Sequence, residues 1–150
     1  MLCLRFTIGA CSYGLDVSNL VELVPCVALS PIPRAPLFIA GRFNYRGDIT
    51  PVVDVSCLCG LSPAKRSLSS RIAISSYRSS LMLGLLLEGA TETVLLSESS
   101  LRAPCANAKD TPFLGREAIA GDGSIIRLIK PDELLSEEAR EILFPNPEGS

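Results

Sequence analysis

Residues 33–54 read PRAPLFIAGRFNYRGDITPVVD, and this stretch constrains the fold more than any other part of the chain. Proline fits poorly in a regular helix or a central strand, so Pro33 and Pro36 predict a shaped, irregular approach to a strand. Arg46 and Gly47 then form a turn before the apolar run that predicts the strand itself. The sequence therefore places one guanidinium at a strand-turn corner, where it serves either as a recognition element or as half of an ion pair.

The composition indicates a folded chain with a core. The 150 residues are 47% hydrophobic, and the mean hydropathy is +0.34. A chain of this length can bury a sizeable core, and we expect one domain over residues 1–150. The 14 basic and 16 acidic residues are scattered. Because no basic stripe is present to neutralise a phosphate backbone, nucleic acid is not an expected partner.

Direct insertion into a membrane is not expected either. The longest apolar runs, such as residues 81–87, are far shorter than the roughly 20 residues that a membrane-spanning helix needs. Residues 1–30 lack the pattern of an export signal, because Asp16 and Glu22 interrupt them. We therefore expect a cytoplasmic protein.

The sequence gives little support for catalysis. It contains no histidine, which removes the commonest general base and the commonest metal ligand. No G-x-S-x-G nucleophile motif and no glycine-rich phosphate loop is present. We therefore predict a protein that is not an enzyme, with no catalytic residue, no metal site and no cofactor.

The cysteines leave one alternative open. Uneven spacing in an apolar chain favours free, reduced thiols over disulfides at all six positions, Cys3, Cys11, Cys26, Cys57, Cys59 and Cys105. The C-x-C pair at Cys57 and Cys59 is the basis of the alternative, a redox-sensing or metal-sensing protein. Thiol titration and metal analysis would test that alternative, because reactive cysteines need an activated thiolate.

Alternating apolar residues predict a mostly β chain. Strands are predicted over residues 2–8, 13–17, 20–24, 71–77, 81–87, 90–96 and 124–129, and residues 43–55 are predicted to form a strand pair or one bent strand. The serine-rich, basic stretch at residues 62–70 predicts a mobile, solvated boundary between two halves, approximately 14–70 and 71–130. Pro131 and the acidic residues after it predict a terminal amphipathic helix over residues 130–144.

The order of several segments resembles the CheW family of bacterial chemotaxis coupling proteins. The resemblance covers roughly residues 4–135 and includes the segments FTIG, YGLDVSNLVELV, RIAIS, LGLLLEGATETVLL and IIRLIKPDELL. Its most specific part is the frame P-x-x-P-x-F-I-x-G-x-x-N-x-R-G-x-x-x-P-V-V-D at residues 33–54. The resemblance implies an all-β fold of two packed, five-stranded SH3-like barrels with a hydrophobic seam between them, the terminal segments completing the barrels, and a short C-terminal helix.

The resemblance also implies a function. Such a protein is a non-catalytic adaptor, or scaffold, that joins the cytoplasmic tip of a methyl-accepting chemoreceptor to the regulatory domain of a CheA-type histidine kinase. It would associate with membrane receptor arrays only through these partners. A second reading is a scaffold that binds one of the two partners and does not couple them.

The resemblance places the receptor surface in the groove between the two barrels. The residues it implicates are Val21, Glu22, Leu23, Val24, Phe43, Asn44, Tyr45, Arg46, Gly47, Asp48, Leu85, Leu86, Leu87 and Glu88. Arg46 matches the signature arginine of the family, and we predict that it contacts Glu22 on an adjacent strand. The alternative for this pair is a purely structural contact that fixes a corner of the barrel.

The resemblance places the kinase surface at one end of the first barrel. The residues it implicates are Ile39, Ala40, Gly41, Arg42, Asp54, Val55 and Leu58. Three features depart from the family pattern: Tyr45 in place of a leucine, the Cys57 and Cys59 pair, and the basic stretch at residues 62–70. In these features the chain is similar to accessory couplers of alternative chemosensory pathways of the Wsp type.

Overall fold

The computed structural model describes residues 1–67, 69–103 and 111–145, and β-strands are the main regular structure in these ranges. Ten strands occupy these residues: β1 Leu2–Ile8, β2 Cys11–Asp16, β3 Leu20–Pro25, β4 Ile39–Tyr45, β5 Asp48–Asp54, β6 Arg71–Tyr77, β7 Leu81–Leu95, β8 Leu101–Arg102, β9 Leu114–Ile119 and β10 Ile125–Ile129. Two short α-helices accompany them, α1 Val55–Leu58 and α2 Glu137–Leu143. Within the described ranges, no helix has the length and apolar character needed to cross a bilayer. The expected mostly β fold with a short C-terminal helix is confirmed.

The 15-residue strand β7 connects two groups of strands. Its first half pairs with β6 and with β5, which gives the order β3-β6-β7-β5-β4 in the first group. Its second half pairs with β1, which gives the order β7-β1-β2-β10-β9-β8 in the second. The separate strand predicted over residues 90–96 is therefore wrong. The chain passes through Gly89 at φ +63° without ending the strand, so one long strand serves both groups.

The strand groups do not divide between residues 70 and 71, where the sequence placed the boundary between halves 14–70 and 71–130. Strand β6 lies after that boundary but pairs with β3, which lies before it. Strand β2 lies before the boundary but pairs with β10, which lies after it. Alternation of apolar residues marks a strand and its buried face, but it does not specify the neighbouring strand. Closure of the groups into SH3-like barrels stays a prediction.

The largest apolar cluster draws on both strand groups. Its buried members include Leu4, Phe6, Ile8, Leu15, Val53, Val55, Ala73, Tyr77, Leu83, Leu85, Leu87, Phe113, Ile129, Leu134 and Leu135. Two smaller clusters flank it, one around Ile126 in the second group and one around Tyr45 in the first. This largest cluster holds the two strand groups together, because side chains from both groups are removed from water in it.

The C-terminal helix begins later than the sequence predicted. A 3₁₀ turn occupies Pro131–Glu133, and α2 begins only after Ser136, whose hydroxyl accepts a hydrogen bond from the Ala139 amide at 3.1 Å. Serine is a strong helix N-cap, which explains the later start. After the helix, the ring of Phe144 stacks on Tyr77 with 5.6 Å between centroids, so the terminus packs against the core.

Most described residues of the 62–70 stretch are exposed, although Ser70 is buried and Ala64 is partly buried, and the stretch is held in place. The Asp54 carboxylate accepts a hydrogen bond from the Ala64 amide at 2.9 Å. The Glu88 carboxylate accepts one from the Lys65 amide, and the Ser70 hydroxyl donates to the Lys65 carbonyl. The predicted solvation of this stretch is therefore correct, whereas its predicted mobility does not agree with these backbone anchors.

Candidate partner-binding surface

The β4–β5 hairpin turns through Arg46 and Gly47, both with positive φ, at +50° and +92°. Two-residue turns with both central residues in this region match the twist of the strands and favour Asn-Gly. The Asn44 side chain supports the turn by accepting a hydrogen bond from the Gly47 amide at 2.8 Å. An arginine in the left-handed region costs about 1 kcal/mol relative to glycine. Residues that are held in an unfavourable backbone conformation are often found at functional sites, so the Arg46 side chain is a candidate for a functional role.

The predicted contact between Arg46 and Glu22 is present. The Arg46 Nη2 atom lies 2.7 Å from Glu22 Oε1, and the two side chains are 73% and 37% exposed. The strands involved are not neighbours, contrary to the prediction, because β3 and β4 form the opposite ends of the first group. The ion pair therefore spans two sheet edges. At this exposure the ion pair contributes under about 1 kcal/mol to the stability of the fold, so its main importance is as a charged group on the protein surface.

Tyr45 adds a third member to this pair. Its hydroxyl donates a hydrogen bond to Glu22 Oε1 at 2.6 Å. The Arg46 guanidinium carbon lies 5.4 Å from the centroid of the Tyr45 ring, a distance at which a cation interacts with an aromatic face. The hydrogen bond to the Glu22 carboxylate is the main cause that raises the pKa of Tyr45. We call Glu22, Tyr45 and Arg46 together the charged corner.

Two exposed aliphatic residues lie close in the chain to the charged corner, Val21 on β3 and Ile49 on β5. Val21 precedes Glu22 and is 52% exposed, and Ile49 follows the turn and is 72% exposed. Asn44 faces Ile49 across the hairpin, so the two share one face of it. Ile49 was missed in the sequence analysis. The available signal was a large apolar residue two positions after the turn.

The other members of the predicted receptor set differ in burial. Asn44, Gly47 and Asp48 are exposed, whereas Phe43, Leu23 and Val24 are partly buried.

Three predicted receptor contacts are wrong, because Leu85, Leu86 and Leu87 are no more than 2% exposed. They belong to the central part of β7, which has a neighbouring strand on each side. A continuous apolar run is typical of a strand covered on both faces. The partly buried Glu88 at the end of this run holds the Lys65 amide.

The predicted kinase set also divides by exposure. Arg42 is exposed and Ala40 and Leu58 are partly buried, so these side chains can reach a partner. Four residues are buried and cannot do so directly: Ile39, Gly41, Asp54 and Val55. Their prediction as contacts is therefore wrong in the free chain, because three residues of the family frame and Val55 directly after it pack inside the fold.

Asp54 has a clear structural role. One carboxylate oxygen accepts hydrogen bonds from the Ser56 and Cys57 amides at 3.0 and 3.3 Å, and the other accepts from the Ala64 amide at 2.9 Å. The side chain therefore caps α1 and anchors the following loop. At 4% exposure it acts inside the fold and not at its surface.

The cysteine pair shows no sign of activation. Burial, followed by the nearby Asp54 carboxylate, raises the pKa of the Cys57 thiol, and burial also raises the pKa of Cys59. Both thiols are free, and Cys105 lies outside the described residues. Among the residues that the structure covers, no three His, Cys, Asp or Glu side chains are grouped to hold a metal ion.

Alkylation should separate the thiols by environment. With iodoacetamide at pH 8, followed by peptide mapping, we expect the exposed Cys11 to react first and Cys57 and Cys59 to react slowly, because a protonated thiol is a poor nucleophile. Cys3 should react only on unfolding, since burial and then Asp16 raise its pKa to about 11. If Cys57 or Cys59 reacted as fast as Cys11, this order would be wrong, and the result would support a redox-sensing protein that uses the pair.

An exposed charged turn with aliphatic neighbours, on a mostly β scaffold, is typical of a protein-binding domain. The chain belongs to the CheW-like domain family, which matches residues 2–139. The resemblance recognised in the sequence is thereby confirmed, and the class of protein is that of the chemotaxis scaffolds.

The relatives agree with this assignment over most of their length. The chain is 24% identical to a chemotaxis protein CheW from Rhizobium meliloti over 139 residues, covering 92% of this chain and 89% of the relative. It is 22% identical to the Bacillus subtilis chemotaxis protein CheW over 142 residues, covering 94% and 90%. The crystal structure of the scaffolding protein TtCheW from Thermoanaerobacter tengcongensis superposes with a TM-score of 0.82 at 30% identity, covering 92% of this chain and 89% of that one.

Proposed function

We propose that this chain is a non-catalytic adaptor of bacterial chemosensory signalling that couples a chemoreceptor to a CheA-type histidine kinase. The family match and the names of the relatives support the chemotaxis role. The single observation that carries the proposed surface is the exposed Arg46–Glu22 pair on an energetically unfavourable turn. The protein would reach membrane receptor arrays through its partners.

The receptor contact is proposed at the charged corner and the aliphatic residues Val21 and Ile49. A chemoreceptor tip is a helical hairpin, and helices dock by placing apolar side chains in a groove and charged ones at its edge. Exposed aliphatic side chains next to an arginine suit that mode of binding. The kinase contact is proposed around Ala40, Arg42 and Leu58, on the part of the predicted kinase set that solvent reaches.

Substitution of Arg46 tests this function. We expect Arg46→Glu to weaken binding to the receptor fragment by tenfold or more, because it replaces the pair with two adjacent carboxylates. Isothermal titration calorimetry with each purified partner measures the effect. Arg46→Asn should weaken binding with little loss of stability, since asparagine is favoured in this turn.

The matched control is Arg116→Glu, at an exposed arginine on β9 in the second strand group. It makes the same charge change, and we expect wild-type affinity. Equal binding by both variants would count against the proposed surface. Binding of only one partner by the wild-type chain would favour the scaffold that does not couple. Assignment to a Wsp-type pathway stays a prediction, tested by co-purification from the native host.

A further inference from the structure

One oxygen of Glu22 is held from two sides. The Tyr45 hydroxyl and the Arg46 guanidinium both bind Oε1, at 2.6 and 2.7 Å. The two partners differ in freedom of movement. Arg46 has a long side chain that is 73% exposed, whereas the Tyr45 residue is only 7% exposed.

The buried ring makes Tyr45 the rigid member of the charged corner. It packs in a cluster with Val52, Ile72, Ile74 and Leu86, and the ring of Phe43 lies 6.2 Å away. A packed tyrosine has few rotamers available, so its hydroxyl stays in one place. Glu22 is thereby fixed to the core of the first strand group, although it lies on the edge strand β3.

The Tyr45 side chain restrains Arg46 in two ways. One acts through Glu22, and the other is direct, because the guanidinium lies over the Tyr45 ring at 5.4 Å. An exposed arginine otherwise loses considerable side-chain entropy when it is ordered by a partner. A guanidinium that is already held in place loses less.

We propose that Tyr45 is a positioning residue for partner recognition, holding Glu22 and Arg46 so that the guanidinium is pre-arranged for a carboxylate on the receptor. The inference rests on the proposed function. A carboxylate is the acceptor that a planar guanidinium matches with two parallel hydrogen bonds. In this proposal Tyr45 contributes to the charged corner through Glu22 and Arg46, and not by a contact of its own with the partner.

The test is Tyr45→Phe, which removes the hydroxyl and keeps the packed ring. We expect its affinity for the purified receptor cytoplasmic fragment to fall three- to tenfold, with a steeper loss at low ionic strength, where charge-assisted contacts are strongest. Tyr13→Phe is the matched control, since Tyr13 packs on Phe6 and lies on β2 in the second strand group. It should bind as the wild type does.

A double-mutant cycle separates positioning from simple loss of packing. If Tyr45 acts through Glu22, Tyr45→Phe should have at most a small further effect in a Glu22→Ala background. In the free protein, the NMR signal of the Arg46 Nε–H group should shift or broaden in Tyr45→Phe. That signal reports on the folded molecule, and it keeps the test decisive even if the variant loses some stability.

The outcomes distinguish the inference from the function on which it rests. Wild-type affinity and an unchanged Arg46 signal in Tyr45→Phe would overturn the positioning role. If Arg46→Glu nevertheless binds the receptor fragment weakly, the proposed function still stands. Fully additive effects in the cycle would also overturn it. Failure of the wild-type chain to bind the receptor fragment would overturn both.

Discussion

Gly14→Ala is expected to destabilise the fold by about 3 kcal/mol, the upper part of the range for overpacked cores. Gly14 is buried on β2, and a Cβ atom there would overlap the Cys3 sulfur. The same atom would lie 2.9 Å from Ile126 and 3.2 Å from Leu128 side-chain carbons. Relief requires three core side chains on two neighbouring strands to move together. Urea unfolding followed by circular dichroism measures the loss.

The matched control is Gly121→Ala, at the exposed turn between β9 and β10. A Cβ atom there meets nothing within 4 Å, so the same chemical change should alter the free energy of unfolding by less than about 1 kcal/mol. Equal stability of the two variants would mean that β2 does not pack as closely on β1 and β10 as the structure describes.

Asp54→Ala is expected to destabilise the fold by about 3 kcal/mol. The change removes a buried carboxylate and leaves the amides of Ser56, Cys57 and Ala64 without their acceptor. A hydrogen bond to a charged group stabilises the fold more than one between neutral groups. A buried amide that loses its acceptor also costs the free energy of its removal from water. Thermal and urea unfolding of the purified variant measure the effect.

Asp16→Ala is the control for Asp54, because Asp16 caps a single 3₁₀ turn through one bond, to the Ser18 amide at 2.9 Å. Loss of that cap should cost about 1 kcal/mol or less. Equal losses in the two variants would contradict the structural role of Asp54. Kinase binding is better tested at the exposed Arg42, since reduced binding by an Asp54 variant would reflect a disturbed fold.

Much of the local structure could be predicted from the sequence. Alternation predicted β1, apolar runs predicted β6, the first half of β7 and β10, and proline with acidic neighbours predicted a terminal helix. The two-residue turn at Arg46 and Gly47 was visible because glycine and a polar run interrupt an apolar pattern. These signals are local, so the residues that produce them stand next to one another in the chain.

Several residues of the predicted partner surfaces are buried in the structure, for a reason that a sequence pattern does not reveal. Leu85 to Leu87 and Val55 resemble exposed binding residues in a one-dimensional pattern, yet they lie in the core. An apolar run indicates removal from water, but either a partner or the protein's own strands can provide the cover. Ile49 shows the converse, because its exposure depends on the direction in which the hairpin faces.

The sequence by itself determined the family, the strand-rich fold and the charged turn, and the contact between Glu22 and Arg46 was predicted only through the family resemblance. Only the tertiary structure decided that β7 runs through both strand groups, that Asp54 caps a helix, and that Tyr45 holds Glu22 across two sheet edges. The reason is distance along the chain. Propensity and alternation act between near neighbours, whereas strand partners and shared hydrogen bonds form between residues that only folding brings together.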